Sequence, residues 1–376
     1  MNDTYTTKLD KRQLSLLRLA QSIIRETANP ALEDAYRAAR LAILDNNEPR
    51  TKKQLDVLIK EMTSAYKKSI EESFRDITSQ MYELGLVEAA FTAKVMNEFS
   101  EESFKTPADK VVKRYIENSV MQFHGKHDTA FSWDEYLKTH YQTSADNIRS
   151  AVNAVWLEQV TTGKLPALND YVKRVKIAND GVNKRDAENI IRTGVNQFSS
   201  KGREAFRDDN LDVITREYPI AVFDNRTSKI CISISAKYGI KGWPPGKSPV
   251  GYPPFHNSCR TGIGFYTLGQ TEPEGERQAV EGRKGEEAKD AFEARKERLR
   301  TKSKVTYKGR KDEAFIAKEV SAATPIAQFL RNQPAWFIAS TLGKTAGLAF
   351  RQGKLDLTQL TDKNLKPLTL KELDLE

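Results

Sequence analysis

Residues 55–84 read LDVLIKEMTSAYKKSIEESFRDITSQMYEL, and their periodicity decides the architecture. Apolar side chains fall at Leu55, Leu58, Ile59, Met62, Tyr66, Ile70, Phe74, Ile77, Met81 and Leu84. Steps of three and four put them on one stripe of a long helix, with Lys, Glu and Ser on the outside. A stripe of this kind is a packing face. Gly85, which follows directly, is expected to break or bend the helix. On the N-terminal side, Leu14, Leu17, Ile23 and Ile24 mark a first helix, and Pro30 opens a second carrying Leu32, Tyr36, Leu41 and Leu44. On the C-terminal side, Thr106-Pro107 and Ser132-Trp133-Asp134-Glu135 look like helix starts. Asn179-Asp180-Gly181 reads as a turn, and residues 186–206 as a helix with Ile190, Ile191, Val195, Phe198 and Phe206 inward. Residues 8 to about 210 are thus helical.

The pattern changes at Val213. Residues 213–223 are β-rich, residues 239–254 are dense in Gly and Pro, and Ile263-Gly264-Phe265-Tyr266 suits a short return strand. Residues 270–285 are acidic and contain glycine, which predicts a linker, and residues 286–300 a charged helix. Beyond residue 305 come helices near 325–330 and 341–351, with Gly343 and Gly353 suited to helix ends and Leu355-Asp356-Leu357 alternating as a strand start. The expected fold class is α+β: an elongated, mainly helical N-terminal half, then a small loop-rich α/β lobe, then a small C-terminal α/β tail. The corresponding segments are 1–180, a helical region for protein–protein interaction; 181–269, the lobe; 270–311, a charged linker and helix; and 312–376, the tail.

Composition narrows the function classes. The 376 residues are 39% hydrophobic and 30% charged, with a formal net charge of +9. No apolar run approaches the roughly 20 residues of a membrane-spanning helix. Met1-Asn2-Asp3-Thr4 lacks the basic-then-apolar pattern of a signal peptide, so a cytoplasmic start is expected. Two cysteines do not make a secreted disulfide framework. The excess positive charge is concentrated at Arg295, Lys296, Arg298, Arg300, Lys302, Lys304, Lys308, Arg310 and Lys311, with Glu297 the one acidic residue among them. Such a strip suits a polyanion, and nucleic acid is the obvious one, although a solvated helix end and linker would look the same.

Both cysteines and one of four histidines fall between Asp224 and Arg260. Cys231, His256 and Cys259 are good zinc ligands, His-x-x-Cys lets both side chains of a tight turn reach one ion, and Asp224 could complete a tetrahedron. A C-x-x-C knuckle is missing, because Ser228 stands three residues before Cys231. A Cys231–Cys259 disulfide, worth about 3 kcal/mol in the chain-entropy model, is a second reading. A nucleophilic cysteine with His256 as base is a third, and reduced thiols packed in a small lobe a fourth. An HNH-type nuclease would need a second histidine nearby. Elsewhere, His124 and His127 in Phe123-His124-Gly125-Lys126-His127-Asp128 suit an exposed turn better than a metal pocket. No phosphate loop, paired-carboxylate cluster or convincing triad is visible, so no enzymatic activity is expected.

These residues resemble the phage Mu F-like head morphogenesis family, the minor head or minor capsid proteins. The family pattern is Arg-Thr on a helix, then D-x-R-T-C-x-x-C, then a Pro-rich loop ending P-P-x-H-x-x-C-R-C. Arg192-Thr193 matches the first part; Asp224, Arg226, Thr227 and Cys231 the second; Pro253, Pro254, His256, Cys259 and Arg260 the third. Ser228 and Thr261 depart from it, each where a cysteine is common. Residues 329–337, 342–344, 350–355 and 368–373 also resemble the tail of many such proteins, so the likeness covers roughly residues 185–376. It implies a structural role in head morphogenesis, in few copies, attached to the portal or major capsid protein. It also implies residence in the virion, at the capsid interior or portal vertex, after assembly in the host cytoplasm, with contact to packaged double-stranded DNA and help in its delivery. Rival readings are a toxin- or nuclease-like enzyme in the C-terminal part and a zinc-dependent DNA-binding module.

Overall fold

A computed structural model describes residues 4–123, 129–163, 165–286, 288–290, 293–294, 297 and 313–376. The fold is α+β, with a long helical N-terminal half followed by small two-stranded sheets. Helix α1 (Tyr5–Ile23) passes through a π-helical turn (Ile24–Ala28) into α2 (Asn29–Leu44). Helix α3 (Lys52–Phe99) follows, its start fixed by a capping box in which Thr51 and Gln54 satisfy each other's backbone amides. At 48 residues it spans about 70 Å. All ten stripe residues are buried on it, and they form the spine of the helical core with α2, α5 (Trp133–Thr162), α6 (Leu168–Ala178) and α7 (Lys184–Asp208). Helix α4 (Asp109–Glu117) and the hairpin of β1 (Met121–Phe123) and β2 (Thr129–Phe131) close one side. Among the described residues no helix is long and apolar enough to cross a membrane.

Two sequence expectations fail in the helical half for the same reason. Gly85 does not break α3, because the helix uses its missing side chain to admit α7. A methyl group at Gly202 of α7 would stand 2.3 Å from the Gly85 carbonyl oxygen, and one at Gly85 would stand 2.6 Å from Ile116 Cδ1. Asn179-Asp180-Gly181 is likewise no turn. A π-helical segment, Asn179–Asn183, carries α6 into α7 without a break. Its two buried asparagines are consumed by tertiary bonds: Tyr66 Oη donates to Asn179 Oδ1 (2.9 Å), Asn179 Nδ2 to the Leu32 carbonyl (3.2 Å) and Asn183 Nδ2 to Tyr66 Oη (3.0 Å).

The second core joins the end of the helical half to the lobe. Strand β3 (Arg216–Ile220) pairs antiparallel with β4 (Gly262–Tyr266), with Arg216 opposite Tyr266 and Ile220 opposite Gly262. Around this pair pack Tyr5 and Leu9 of α1, Ala93 and Met96 of α3, Phe206 of α7, and Ile230 and Ile234 of α8 (Lys229–Tyr238). Residues 270–285, expected to be a linker, instead contain β5 (Glu276–Lys284), paired over nine residues with β6 (Glu313–Ser321). The strand is not apolar, which hid it. Its anchors are polar: Gln278 N donates to Asp10 Oδ2 (2.7 Å), Val280 N to the Phe223 carbonyl (2.7 Å) and Gly282 N to Gln333 Oε1 (2.9 Å). The Arg277 guanidinium stacks 3.9 Å above the Phe223 ring.

The tail forms a third core from α9 (Ile326–Arg331), α10 (Ala335–Leu342) and α11 (Lys344–Arg351), packed on Phe223 and Ile232. Gly343 and Gly353 take positive φ at the helix ends, as their positions suggest. Leu355-Asp356-Leu357 does not begin a strand. Asp356 caps a 3₁₀ turn (Leu357–Gln359) with Gln359 as its reciprocal partner, which leaves no extended backbone to pair.

Two predictions follow from the helical half. Gly202→Ala gains helix propensity of at most about 1 kcal/mol but forces backbone against backbone, so a net loss of about 2 kcal/mol is expected in denaturant unfolding. His140 is 5% exposed and its Nε2 lacks a hydrogen-bond partner, and burial pushes its pKa down to about 4. A folded pKa below the unfolded value means that the unfolded chain takes up the proton first. Stability should therefore be intact above about pH 6.5 and fall by roughly 3 kcal/mol as pH drops to 4, a slope that His140→Leu removes.

Candidate functional site

The resemblance-bearing residues come from three elements that meet at one place. The Asp224-Asn225-Arg226-Thr227 run forms a tight side-chain-capped turn before α8: Arg226 N donates to Asp224 Oδ1 (2.9 Å), and Thr227 Oγ1 bonds both Asp224 Oδ1 (3.0 Å) and the Val222 carbonyl. Ser228 is the N-cap of α8, its Oγ accepting from Cys231 N (3.2 Å). Cys231 thus lies in the first turn of α8, at its positive end. His256 and Cys259 sit on a turn closed by Cys259 N donating to the His256 carbonyl (3.1 Å). Ser258 within it adopts φ 57°, costly for a residue other than glycine. Two bonds to α7 hold it there: Ser258 N donates to Thr193 Oγ1 (2.8 Å) and Ser258 Oγ to Asn189 Oδ1 (2.9 Å). Thr193 of the Arg-Thr pair therefore acts on the turn directly, whereas Arg192 pairs with Glu188 on its own helix (3.0 Å).

Cys231, His256 and Cys259 do converge, with ligand atoms all within 4.8 Å of one another. The sulfurs are 3.7 Å apart and both cysteines are free, so no disulfide joins them in this structure. His256 Nδ1 donates to the Asn257 carbonyl (2.8 Å), which turns Nε2 toward Cys231 Sγ (3.2 Å) and Ser228 Oγ (2.7 Å). Burial pushes the Cys259 thiol up, but the hydrogen bond from Cys231 and the charge of His256 outweigh it and hold Cys259 well below the ordinary thiol value. The Cys259 hydrogen bond, with burial, raises Cys231. Burial lowers His256, yet the adjacent Cys259 charge raises it overall.

Asp224 is not the fourth corner of this cluster. Both carboxylate oxygens are taken by Arg260, with Nη1 to Oδ2 at 2.6 Å and Nη2 to Oδ1 at 2.7 Å. Asp224 is 5% exposed, and although burial raises its pKa, the Arg260 bonds hold the carboxyl below the usual range. A bidentate arginine is the better partner for a buried carboxylate already committed to two turn bonds. Arg226 in the same motif is largely exposed, its Nε a looser 3.7 Å from Asp224 Oδ2.

Several site residues carried no signal in the sequence. Asn196 Nδ2 bonds the carbonyls of Cys259 (3.1 Å) and Thr261 (3.2 Å), and Gln13 Nε2 bonds that of Arg260 (3.1 Å). Three consecutive carbonyls are thereby held by α7 and α1. The Gly/Pro-rich loop is organised by Glu217, whose Oε2 accepts from Tyr252 Oη (2.7 Å), Gly246 N (2.8 Å) and Trp243 Nε1 (3.2 Å), while Oε1 pairs with Arg207 (3.0 Å). The basic strip Arg295, Lys296, Arg298, Arg300, Lys302, Lys304, Lys308, Arg310 and Lys311 lies outside the described residues, as do His124 and His127.

Comparison with protein-family models, with curated proteins and with solved structures yields no match.

Removing one partner of the Asp224–Arg260 pair strands a buried charge. Arg260→Ala should cost about 3 kcal/mol at neutral pH in thermal or denaturant unfolding. Because the folded pKa of Asp224 is depressed, its contribution is present above the ordinary carboxylate range and lost as pH falls below it. The gap between wild type and Asp224→Asn should accordingly close toward acidic pH.

Proposed function

We propose that this chain is a structural protein of a phage head, present in few copies and bound to the portal or inner capsid. One observation carries the reading. The residues of the resemblance, dispersed from 192 to 260, are used together as a buried knot that fixes α7, the start of α8 and the 253–261 loop. Their roles are cohesive: a turn cap, a buried ion pair, a bonded left-handed serine and a closed Cys-His-Cys cluster. A nucleophilic cysteine needs partial exposure to reach a substrate, whereas Cys231 and Cys259 are 3% and 1% exposed. Helical faces suited to protein contacts are present as well, with Leu41, Val87, Leu157 and Ile177 each more than half exposed in the N-terminal half. The basic strip at 295–311 supplies the surface that faces packaged DNA.

Deleting the coding sequence from the phage that carries it is the direct test. The expected result is heads that lack DNA or fail to infect, with the protein detected at low copy in wild-type particles by quantitative mass spectrometry. Normal, infectious, DNA-filled particles from the deletion would overturn the reading. For the DNA surface, nine neutralised phosphates would give a log affinity against log salt slope approaching about −8. Replacing the nine basic residues with glutamine should flatten that slope while leaving the unfolding midpoint in place.

A further inference from the structure

We propose that Cys231 Sγ, His256 Nε2 and Cys259 Sγ hold one Zn²⁺, with a fourth, exchangeable corner beside Ser228 Oγ. The geometry comes first. Two sulfurs bound about 2.3 Å from one tetrahedral ion stand about 3.8 Å apart; these two stand at 3.7 Å. A tetrahedral S···N edge is about 3.5 Å; His256 Nε2 lies 3.2 Å from Cys231 Sγ, a few tenths closer. Two edges of a zinc tetrahedron's face are thus close to their bound lengths, and the third, from Cys259 Sγ to His256 Nε2, is within 4.8 Å and closes on binding.

The surroundings match what a bound ion needs. A ligating imidazole commonly donates its other N–H to a carbonyl, which fixes tautomer and ring orientation, and His256 Nδ1 does so to Asn257. Charge balances too. Two thiolates, a neutral imidazole and Zn²⁺ sum to zero, beside an Asp224–Arg260 pair that also sums to zero. Neutrality is what a buried site requires.

The fourth corner lies on the less buried side, where Ser228 and His256 are both only half-buried. Ser228 Oγ is 2.7 Å from Nε2, shorter than the roughly 3.3 Å edge of a zinc-bound N···O pair. The hydroxyl must therefore swing outward, leaving room for itself or one water. Asp224 is tied to Arg260 and offers no general base, so the ion's work is structural: it clasps the start of α8 to the 256–259 turn. This assignment does not rest on the phage-head reading and would hold if that reading failed.

The test uses the full chain, purified under reductant and loaded with Zn²⁺. About one zinc per chain is expected by elemental analysis. Co²⁺ should replace it with the thiolate charge-transfer and intense d–d bands of a tetrahedral site. Cys259→Ser and His256→Ala should reduce metal uptake. Because these variants can also unfold the lobe, Ser228→Cys is the decisive one: a third thiolate should slow metal loss to a chelator at least about tenfold. Folded, reduced wild type with less than about 0.1 zinc per chain after loading would overturn the proposal. So would Co²⁺ spectra without thiolate bands, or Ser228→Cys losing metal as fast as wild type.

Discussion

One buried carboxylate holds the two halves of this protein together. Glu88, in the C-terminal quarter of α3, is fully buried and accepts from Arg203 of α7 through Nε (3.0 Å) and Nη2 (2.8 Å), and from Arg12 of α1 through Nε (2.8 Å). Arg203 Nη1 then donates to the Ile263 carbonyl of β4 (2.8 Å). A single charged cluster thus spans three helices of the N-terminal half and the strand pair of the lobe. Removing one member would leave an uncompensated buried charge, at about 3–5 kcal/mol. Such a penalty is a large fraction of a typical domain's total stability.

The candidate site depends on that junction. Its turn, 256–259, contains a left-handed serine that could not persist on local interactions alone. It persists because α7 is held in place to offer Thr193 and Asn189 on one side and Asn196 on the other. The Gly85–Gly202 crossing lets α7 lie close enough to α3 for this, since a methyl group at Gly202 would stand 2.3 Å from the Gly85 carbonyl oxygen. The long helix therefore does more than present a surface: it sets the distance at which the lobe is built. Glu217 plays the matching part from within the lobe, drawing the Pro- and Gly-rich loop around one carboxylate.

Much of this was legible and much was not, and the division follows the range of the interactions. The stripe from Leu55 to Leu84 was readable because helical periodicity is a local property and every stripe residue is buried. The return strand containing Ile263 was readable from its composition and pairs with β3 as its length allows. Strand β5 was hidden because its anchors are backbone amides bonded to Asp10, Phe223 and Gln333, far away in sequence. Gly85 was misread because a glycine that breaks a helix and one that admits a neighbouring helix look identical without the neighbour. Asp224 was assigned to a metal because an aspartate near two cysteines and a histidine has the right donor chemistry. Arg260 had the stronger claim, with two short bonds in a fixed fork.

By itself the sequence determined the helix stripes, the helix start at Ser132, the α+β division, and the His-x-x-Cys turn that brings His256 to Cys259. These are set by spacing along the chain, over a few residues. Only the tertiary structure decided that α3 runs unbroken past Gly85, that 276–284 is a strand, that Asp224 belongs to Arg260 and that His256 Nε2 faces Cys231. Each of these is a choice of partner for a buried polar or close-packed group. Such a choice is made by whichever donor, acceptor or backbone lies within about 3 Å after folding.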